Sequence, residues 1–354
     1  MTANAAAFAP AGQPESELLS TTFDASYTWN YGVSRQDLRN LYEKAKREQW
    51  NATEQLAWST DVDPEAEHIP DIQIPIYGTH IWEKLTPGEI KKLRRESLAR
   101  TLSQFMHGEQ GALLATAQIV DATPSFDAKL YGSSQVMDEA RHVEVYARYL
   151  REKMTRQYPV NRHLRTLLDQ ILTDGRWDMK YLGMQIMVEG LAMAAFGFLH
   201  QTCSEPLLKD LTHYVMRDES RHVAFGVLSL KEFYAELSDA ELLDRQEFAF
   251  EAAVRMRDRF LQQEVWDRMG VDPKIAIKAM RIDVAPEDDL FQQLLFAKIV
   301  PNCKKLGLLD ANNGWLRERF TEMKVIQFED FVDTGEEYES LDEVAKDREA
   351  AASA

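Results

Sequence analysis

The sequence has 354 residues, 45% of them apolar and 28% charged, with a formal net charge of −17. These proportions give a globular chain with a sizeable core, and the acidic surplus excludes a nucleic-acid or anionic-membrane surface as partner. Two cysteines, Cys203 and Cys303, fit neither a C-x-x-C metal spacing nor a disulfide scaffold. The N-terminus lacks the charged region and apolar run of a signal peptide, and no run reaches the roughly 18 uninterrupted apolar residues of a bilayer span. A cytoplasmic protein with no membrane partner is expected.

Residues 1–33 are rich in Ala, Pro, Ser and Thr and read as a flexible arm. Ser34 opens a short amphipathic helix, and residues 51–85, with Pro64, Pro70 and Pro75, read as irregular. At Thr86-Pro87-Gly88-Glu89 a capping threonine, a proline at the first helical position and a glutamate at the third predict a helix start. Thr123-Pro124 ends that helix. Further helical runs are predicted from Ser125 to about Tyr158, over about 161–173, and from Asp174 to about Cys203. Ser204-Glu205-Pro206 breaks the last of these, and the next runs to about Leu237. Ser238-Asp239-Ala240-Glu241 is a second capping box, with its helix predicted to end near Gly270. Shorter helices are expected at about 273–281 and 286–308. The last 26 residues, 329–354, hold ten acids against two bases and read as a mobile acidic tail. Strand signals are weak throughout. The fold class is therefore all-α, one helical domain over 34–328 built on long antiparallel helices, with its core over about 86–237.

Two stretches of that core share a pattern. Each has a lone glutamate in an apolar run, followed 30 residues later by Asp-Glu-x-Arg-His: Glu109 with Glu139 and His142, then Glu189 with Glu219 and His222. The second set lies 80 residues after the first at all three positions. Glu139 and His142 are three apart and share a helix face. Glu109 and Glu139 each lie 15 residues from Pro124, roughly 22 Å along their helices, so a hairpin sets them at one level. Two such hairpins make a four-helix bundle with one glutamate from each of two helices and a Glu-x-x-His from each of the others, the ligand pattern of a dinuclear carboxylate site. Four carboxylates offset two divalent cations, and an oxygen-rich set with few nitrogens suits iron or manganese, or a mixed pair. Glu189 is the only charged residue between Gln185 and Leu199, which argues against a solvated face. Glu-x-x-His alone is a weak signal, since Glu65 and His68 also match it in an irregular segment. Asp138 and Asp218 are expected to accept hydrogen bonds from the histidines across the bundle, with Arg141 and Arg221 balancing charge.

These motifs resemble the ferritin-like diiron-carboxylate superfamily over roughly 86–235. The core is most similar to the large hydroxylase subunit of bacterial multicomponent monooxygenases and, less closely, to the small subunit of class I ribonucleotide reductase. Gly108-Glu109, the step to Asp138-Glu139-x-Arg141-His142, and Asp218-Glu219-Ser220-Arg221-His222 carry the resemblance, and residues 41–59 are similar to the segment that precedes that core. The resemblance implies O₂ activation at a diferrous site. Two places depart from the relatives: Met193 replaces the hydroxylases' threonine, and Val215 replaces an extra histidine ligand of related N-oxygenases; Tyr146, by contrast, matches the reductase's radical-tyrosine position.

The leading expectation is an O₂-dependent diiron oxidase or monooxygenase acting on a small, largely apolar substrate, with Met106, Leu113, Ile186, Ala192, Met193 and Phe196 as candidate pocket residues. A catalytic cycle would need two electrons, so a ferredoxin or flavin reductase is implied. Two alternatives remain: a radical-generating subunit using Tyr146, with Tyr338 in the acidic tail, and a ferroxidase or iron store. Long bundle faces are compatible with a homodimer.

Overall fold

The computed structural model describes residue 14, residues 16–283 and residues 290–331. Among these there are helices and no strand, an all-α fold. The part of the predicted acidic tail beyond residue 331, including Tyr338, lies outside the described residues, as do most of residues 1–15.

An extended segment crosses the surface first, held by Ser26 N donating to Asp121 O and Thr28 Oγ1 to Pro124 O. Helix α1 (Gln36–Arg47) and the single turn α2 (Ala52–Gln55) follow. Buried Asp127 ties α1 to the bundle: its Oδ2 accepts from Ser34 N, Ser34 Oγ and Arg35 N at 2.8–3.0 Å, and its Oδ1 from Arg39. A charge-assisted knot of this kind fixes the direction of α1 and lays its C-terminal end over the middle of the bundle.

Helix α3 (Pro87–Ala122) starts at a capping box in which Thr86 Oγ1 accepts from Glu89 N and Glu89 Oε2 accepts from Thr86 N. Ser125 caps α4 (Phe126–Tyr149), which packs antiparallel along α3. Helix α5 (Arg162–Thr173) and the short α6 (Trp177–Tyr181) lead into α7 (Glu189–Thr202). Glu205 caps α8 (Pro206–Tyr234) by accepting from Leu207 N and Leu208 N, and also accepts from the buried Tyr149 hydroxyl at 2.7 Å. A second capping box, Ser238 with Glu241, begins α9 (Asp239–Asp258). Helices α10 (Gln263–Met269), α11 (Pro273–Asp283), α12 (Leu290–Lys305) and α13 (Ala311–Glu322) complete the chain. Helix α12 packs against α7, and α13 against α9.

Three departures from the sequence-based expectation matter for the site. The run predicted from Asp174 to Cys203 is not uniform: Leu182–Val188 winds as π-helix just before Glu189, and Leu150–Met154 does the same at the end of α4. The helix predicted to run to Gly270 breaks at Arg259–Gln262, where a 3₁₀ turn ends in Gln262 with a left-handed φ of 49°. Helix α13 was not anticipated, because Asn312, Asn313 and Gly314 in its first turn read as a loop and adopt left-handed backbone angles.

The run Trp177–Thr202 is long and apolar enough to cross a bilayer by composition, yet most of its apolar window is buried inside the protein, and it carries Glu189 toward the other helices. Its π-helical part touches α8 closely at Gly226, where an added Cβ would lie 2.6 Å from Gln185 Cβ and 3.2 Å from Ile186 Cδ1. Gly226 is one turn beyond His222 on α8. Gly226→Val is therefore expected to push α8 off the π-helical segment and to destabilise the fold by about 1–3 kcal/mol. Chemical denaturation measures this; a variant as stable as the parent would show that the close approach is not structural.

Candidate metal centre

The bundle brings the six residues singled out by the sequence to one level in its interior. Glu109 comes from α3, Glu139 and His142 from α4, Glu189 from the first position of α7, and Glu219 and His222 from α8; all six are buried. Their ligand atoms form two overlapping groups, Glu109–Glu139–His142–Glu219 and Glu139–Glu189–Glu219–His222, each with its atoms within 4.8 Å of one another. Glu139 and Glu219 belong to both groups, where bridging carboxylates would stand.

Most of the close distances are not hydrogen bonds, the exception being His142 Nδ1 with Glu109 Oε2. His222 Nδ1 lies 3.1 Å from Glu139 Oε1 and 3.4 Å from Glu219 Oε2 but makes a hydrogen bond to neither. Glu139 Oε2, Glu189 Oε2 and both Glu219 oxygens are also buried without a hydrogen-bond partner. His142 Nδ1 is 3.1 Å from Glu219, 3.2 Å from Glu109 and 3.5 Å from Glu139. Buried polar atoms are normally paired. Unpaired ones converging on a shared space fit ligands of a common cation, and an O₄N₂ donor set divided in this way fits two iron or manganese ions.

The outward nitrogens are held by carboxylates from the opposite hairpin. Asp218 Oδ2 lies 3.2 Å from His142 Nε2, and Asp138 Oδ2 lies 3.3 Å from His222 Nε2. Arg141 pairs with Asp138 and reaches Asp218 at 3.3 Å; Arg221 pairs with Asp218 at 2.5 Å and reaches Asp138 at 3.4 Å. Two aspartates and two arginines thus form a closed ring around the imidazoles, and Arg221 also pairs with Glu48 at 2.6 Å. The segment after α1 completes it: Gln49 Nε2 donates to Asp138 Oδ1 at 2.9 Å and Trp50 Nε1 to Asp218 Oδ2 at 2.7 Å. Inside the cluster, Gln135 Nε2 donates to Glu139 Oε1 at 3.0 Å and to Glu189 Oε1 at 3.2 Å. Gln135 was legible in principle, since it lies one turn before Glu139 on the same face; Gln49 and Trp50 had no local signal of a role.

A cavity of about 20 Å³ adjoins the cluster. Glu109, Glu189 and Glu219 form one wall, and Phe105, Ala112, Val188, Ala192 and Phe196 supply the apolar part. Of the six candidate pocket residues, Ala192 and Phe196 line it. Met106, Leu113, Ile186 and Met193 do not: the pocket lies between the faces of α3 and α7 that carry the glutamates, and helical spacing alone did not show which neighbours share those faces. Arg259, from the break after α9, is the basic residue in the cavity wall; burial, and then the neighbouring Arg100, push its pKa down to about 9. Tyr146 is buried beside Phe105 and Phe196, with ring centroids 5.9 and 6.1 Å away, and its hydroxyl has no hydrogen-bond partner. Burial, and then Glu109, raise its pKa well above the usual phenol value. Val215 is fully buried on α8.

All-α fold and buried carboxylate–imidazole cluster together define a ferritin-like protein with a dinuclear metal site. A family model described as p-aminobenzoate N-oxygenase AurF matches residues 33–307, and the chain belongs to that family. Among solved structures, an R2-like ligand-binding oxidase with aerobically reconstituted metal cofactor after photoconversion is 17% identical, with a TM-score of 0.53, covering 76% of this chain and 93% of that one. A variant of an R2-like ligand-binding oxidase with anaerobically reconstituted Mn/Fe cofactor is 19% identical, with a TM-score of 0.49, covering 70% and 92%. The former likeness establishes a shared fold. A search of curated proteins found no match. The protein is an O₂-activating oxidoreductase of the ferritin-like diiron-carboxylate superfamily that acts on a small molecule.

The protonation of the metal-free cluster has a measurable consequence. Burial raises Glu109 and Glu189 well above the carboxylate range, and neighbouring glutamates add to the rise, Glu219 for Glu109 and Glu139 for Glu189. Burial opposes charge on His142 and His222, but the surrounding carboxylates outweigh it and raise both imidazoles well above their usual value. All four groups favour their protonated forms, whereas a metal takes ionised carboxylate and neutral imidazole. Metal uptake is thus expected to release protons, and apparent affinity to weaken as pH falls. Manganese(II) titration calorimetry in buffers of different ionisation enthalpy measures both; uptake without proton release would contradict the protonation pattern.

Proposed function

We propose that the protein is a two-metal oxygenase that uses O₂ to oxidise a small, largely apolar organic substrate, an amine nitrogen being the favoured target in keeping with the N-oxygenase family. Glu109 and His142 would serve one ion and Glu189 and His222 the other, with Glu139 and Glu219 between them. When bound, a reduced iron pair, or a manganese or mixed pair, supplies the electrons and O₂ reactivity that side chains lack. The chain's own groups hold the arrangement. Asp138 and Asp218 fix the tautomer and orientation of the imidazoles. Gln135 restrains Glu139 and Glu189, and the phenylalanine-lined cavity keeps bulk water from the reacting face. The observation that carries this reading is the pair of overlapping groups, with unpartnered oxygens turned toward a small apolar cavity. Val215 offers no donor, so the ion next to His222 has one imidazole in this reading. Two electrons per turnover would come from a ferredoxin or a flavin reductase, and a cytoplasmic homodimer accords with the long bundle faces.

A radical-generating role would require oxidised Tyr146 to lose its phenolic proton. The hydroxyl is buried with no acceptor in hydrogen-bond reach, which favours the oxygenase over the radical subunit. Electron paramagnetic resonance of the iron-loaded protein after O₂ exposure is expected to show no stable tyrosyl radical; a radical lost in Tyr146→Phe would reverse that preference.

The reaction is tested with reduced, iron-loaded protein, isotopically heavy O₂, and a panel of arylamines that includes p-aminobenzoate. The product should carry heavy oxygen, and Glu189→Ala should lower its rate by on the order of 100-fold or more. A reduced protein that does not consume O₂, or product oxygen drawn from water, would refute the proposal.

A further inference from the structure

Next to the six clustered residues the bundle carries a second buried polar layer. Thr116 lies seven residues after Glu109 on α3, and Gln135 lies seven before His142 on α4; two helical turns put each on the face of its ligand. The two helices are antiparallel and His142 Nδ1 meets Glu109 Oε2 at 3.2 Å, so Thr116 and Gln135 stand level. Gln185 lies four residues before Glu189, in the π-helical segment. Lys180 donates to Gln118 at 2.6 Å, each nine residues from its glutamate, so this run is antiparallel to α3 and Gln185 is displaced from the cluster in the same direction as Thr116. On α8, Gly226 packs against Gln185, four residues beyond His222. The apolar wall of the cavity extends the other way: Phe105 precedes Glu109, and Ala192 and Phe196 follow Glu189.

Thr116, Gln135 and Gln185 are fully buried. Among the described residues, Thr116 Oγ1, Gln135 Oε1 and both Gln185 amide atoms, Nε2 and Oε1, have no hydrogen-bond partner. Gln135 spends its amide nitrogen on Glu139 and Glu189. Orphaned polar groups of this kind are rare and costly. A metal ion does not resolve them, because the Gln185 amide nitrogen is a donor only. Water supplies both donors and acceptors. A buried water makes about three hydrogen bonds, so one or two molecules satisfy all four atoms. One turn further out stands Tyr181, four residues before Gln185. Burial raises the pKa of its hydroxyl, while the Ser229 and Thr123 hydroxyls beside it act the other way. Thr123 belongs to the α3–α4 turn and Ser229 is half-buried, so hydroxyls continue the layer toward the surface.

We propose that Thr116, Gln135 and Gln185 bind ordered water beside the glutamate cluster, and that this water is the last station of the route by which protons reach the cluster from the α3–α4 turn. The proton role rests on the oxygenase reading. Placing one atom of O₂ on a substrate and reducing the other to water consumes two electrons and two protons. The redox partner supplies the electrons. The protons need a hydrogen-bonded path, which the phenylalanine-lined face does not offer. Each water on the path gives up one proton and accepts another, and the Gln185 amide is unchanged. Gln185 is thus a positioning residue: it holds the water in place.

Crystals of the manganese(II)-loaded protein test the water site. Density for at least one water is expected within hydrogen-bond distance of the Gln185 amide and of Thr116 or Gln135. Gln185→Leu tests it independently. An unhydrated amide is a liability whose replacement by leucine raises the melting temperature, whereas loss of the water strands Thr116 and Gln135, so the melting temperature should fall with metal content unchanged. Single turnover of the reduced, iron-loaded protein in H₂O and D₂O tests the proton role. Gln185→Leu should slow product formation about tenfold or more and enlarge the solvent isotope effect. Gln185→Asn, which keeps an amide and leaves room for a further water, should stay close to the parent. If Gln185→Leu does not fold, Gln185→Met takes its place. A layer without water in the crystals, or a leucine variant that melts above the parent, overturns the water site. A leucine variant with the parent's rate and isotope effect overturns the proton role. Absence of heavy-oxygen product from the parent would sink the oxygenase reading and the proton role together, with the water site judged by the crystals and the melting temperature alone.

Discussion

Four glutamates and two histidines are buried within a few ångströms of one another, and among the described residues no arginine or lysine is paired with any of the four glutamates. Arg141 and Arg221 are committed to Asp138 and Asp218, and Arg221 to Glu48 as well. Such a cluster is unfavourable unless something positive occupies its centre, and much of the surrounding structure follows from that requirement. Long helices are needed to bring one or two donors each to a common level. The aspartate–arginine ring keeps the imidazoles oriented, and Gln135 ties two of the glutamates together. The knot at Asp127 directs α1 so that Gln49 and Trp50 close the ring from outside.

The two hairpins repeat each other closely in the ligands and their aspartates, and then diverge. Asp138 receives a hydrogen bond from Gln49 where Asp218 receives one from Trp50, whose ring stacks on Tyr214 at 4.7 Å. Glu109 lies within a regular α-helix, whereas Glu189 follows directly on a π-helical segment. Local π-helix within an α-helical run is commonly associated with function. The cavity and Arg259 sit on the α3–α7 side. The pseudo-symmetric frame therefore accounts for holding metals, and its departures from symmetry are where substrate selection is to be sought.

The fold class and the meeting of the six clustered residues were readable because they rest on local, periodic signals. Thr86–Glu89 and Ser238–Glu241 mark helix starts by capping chemistry, and the equal 30-residue steps at Glu109 and Glu189 follow from hairpin geometry. Features set by tertiary packing were not readable. An extra residue in the turn before Glu189 leaves no trace in helical periodicity. The break at Arg259–Gln262 lies in a run with no proline or glycine to announce it, so nothing in the sequence singles it out. Four of the six pocket candidates lie off the cavity for the same reason. Met106, Leu113, Ile186 and Met193 are near the ligands in sequence, but which face they take depends on how α3 and α7 are rotated. Residue types narrowed the metal to iron or manganese and could not name the oxidised atom, and Val215 departs from the extra-histidine pattern of related N-oxygenases even though the chain belongs to an N-oxygenase family.

The central claim is that six side chains hold two ions that share Glu139 and Glu219. Anomalous diffraction from crystals of the iron-loaded protein tests it most directly. The account predicts two peaks of comparable height inside the bundle, one beside His142 and one beside His222, with both bridging glutamates between them. A single peak, or two peaks that leave Glu189 and His222 without a metal contact, would contradict it.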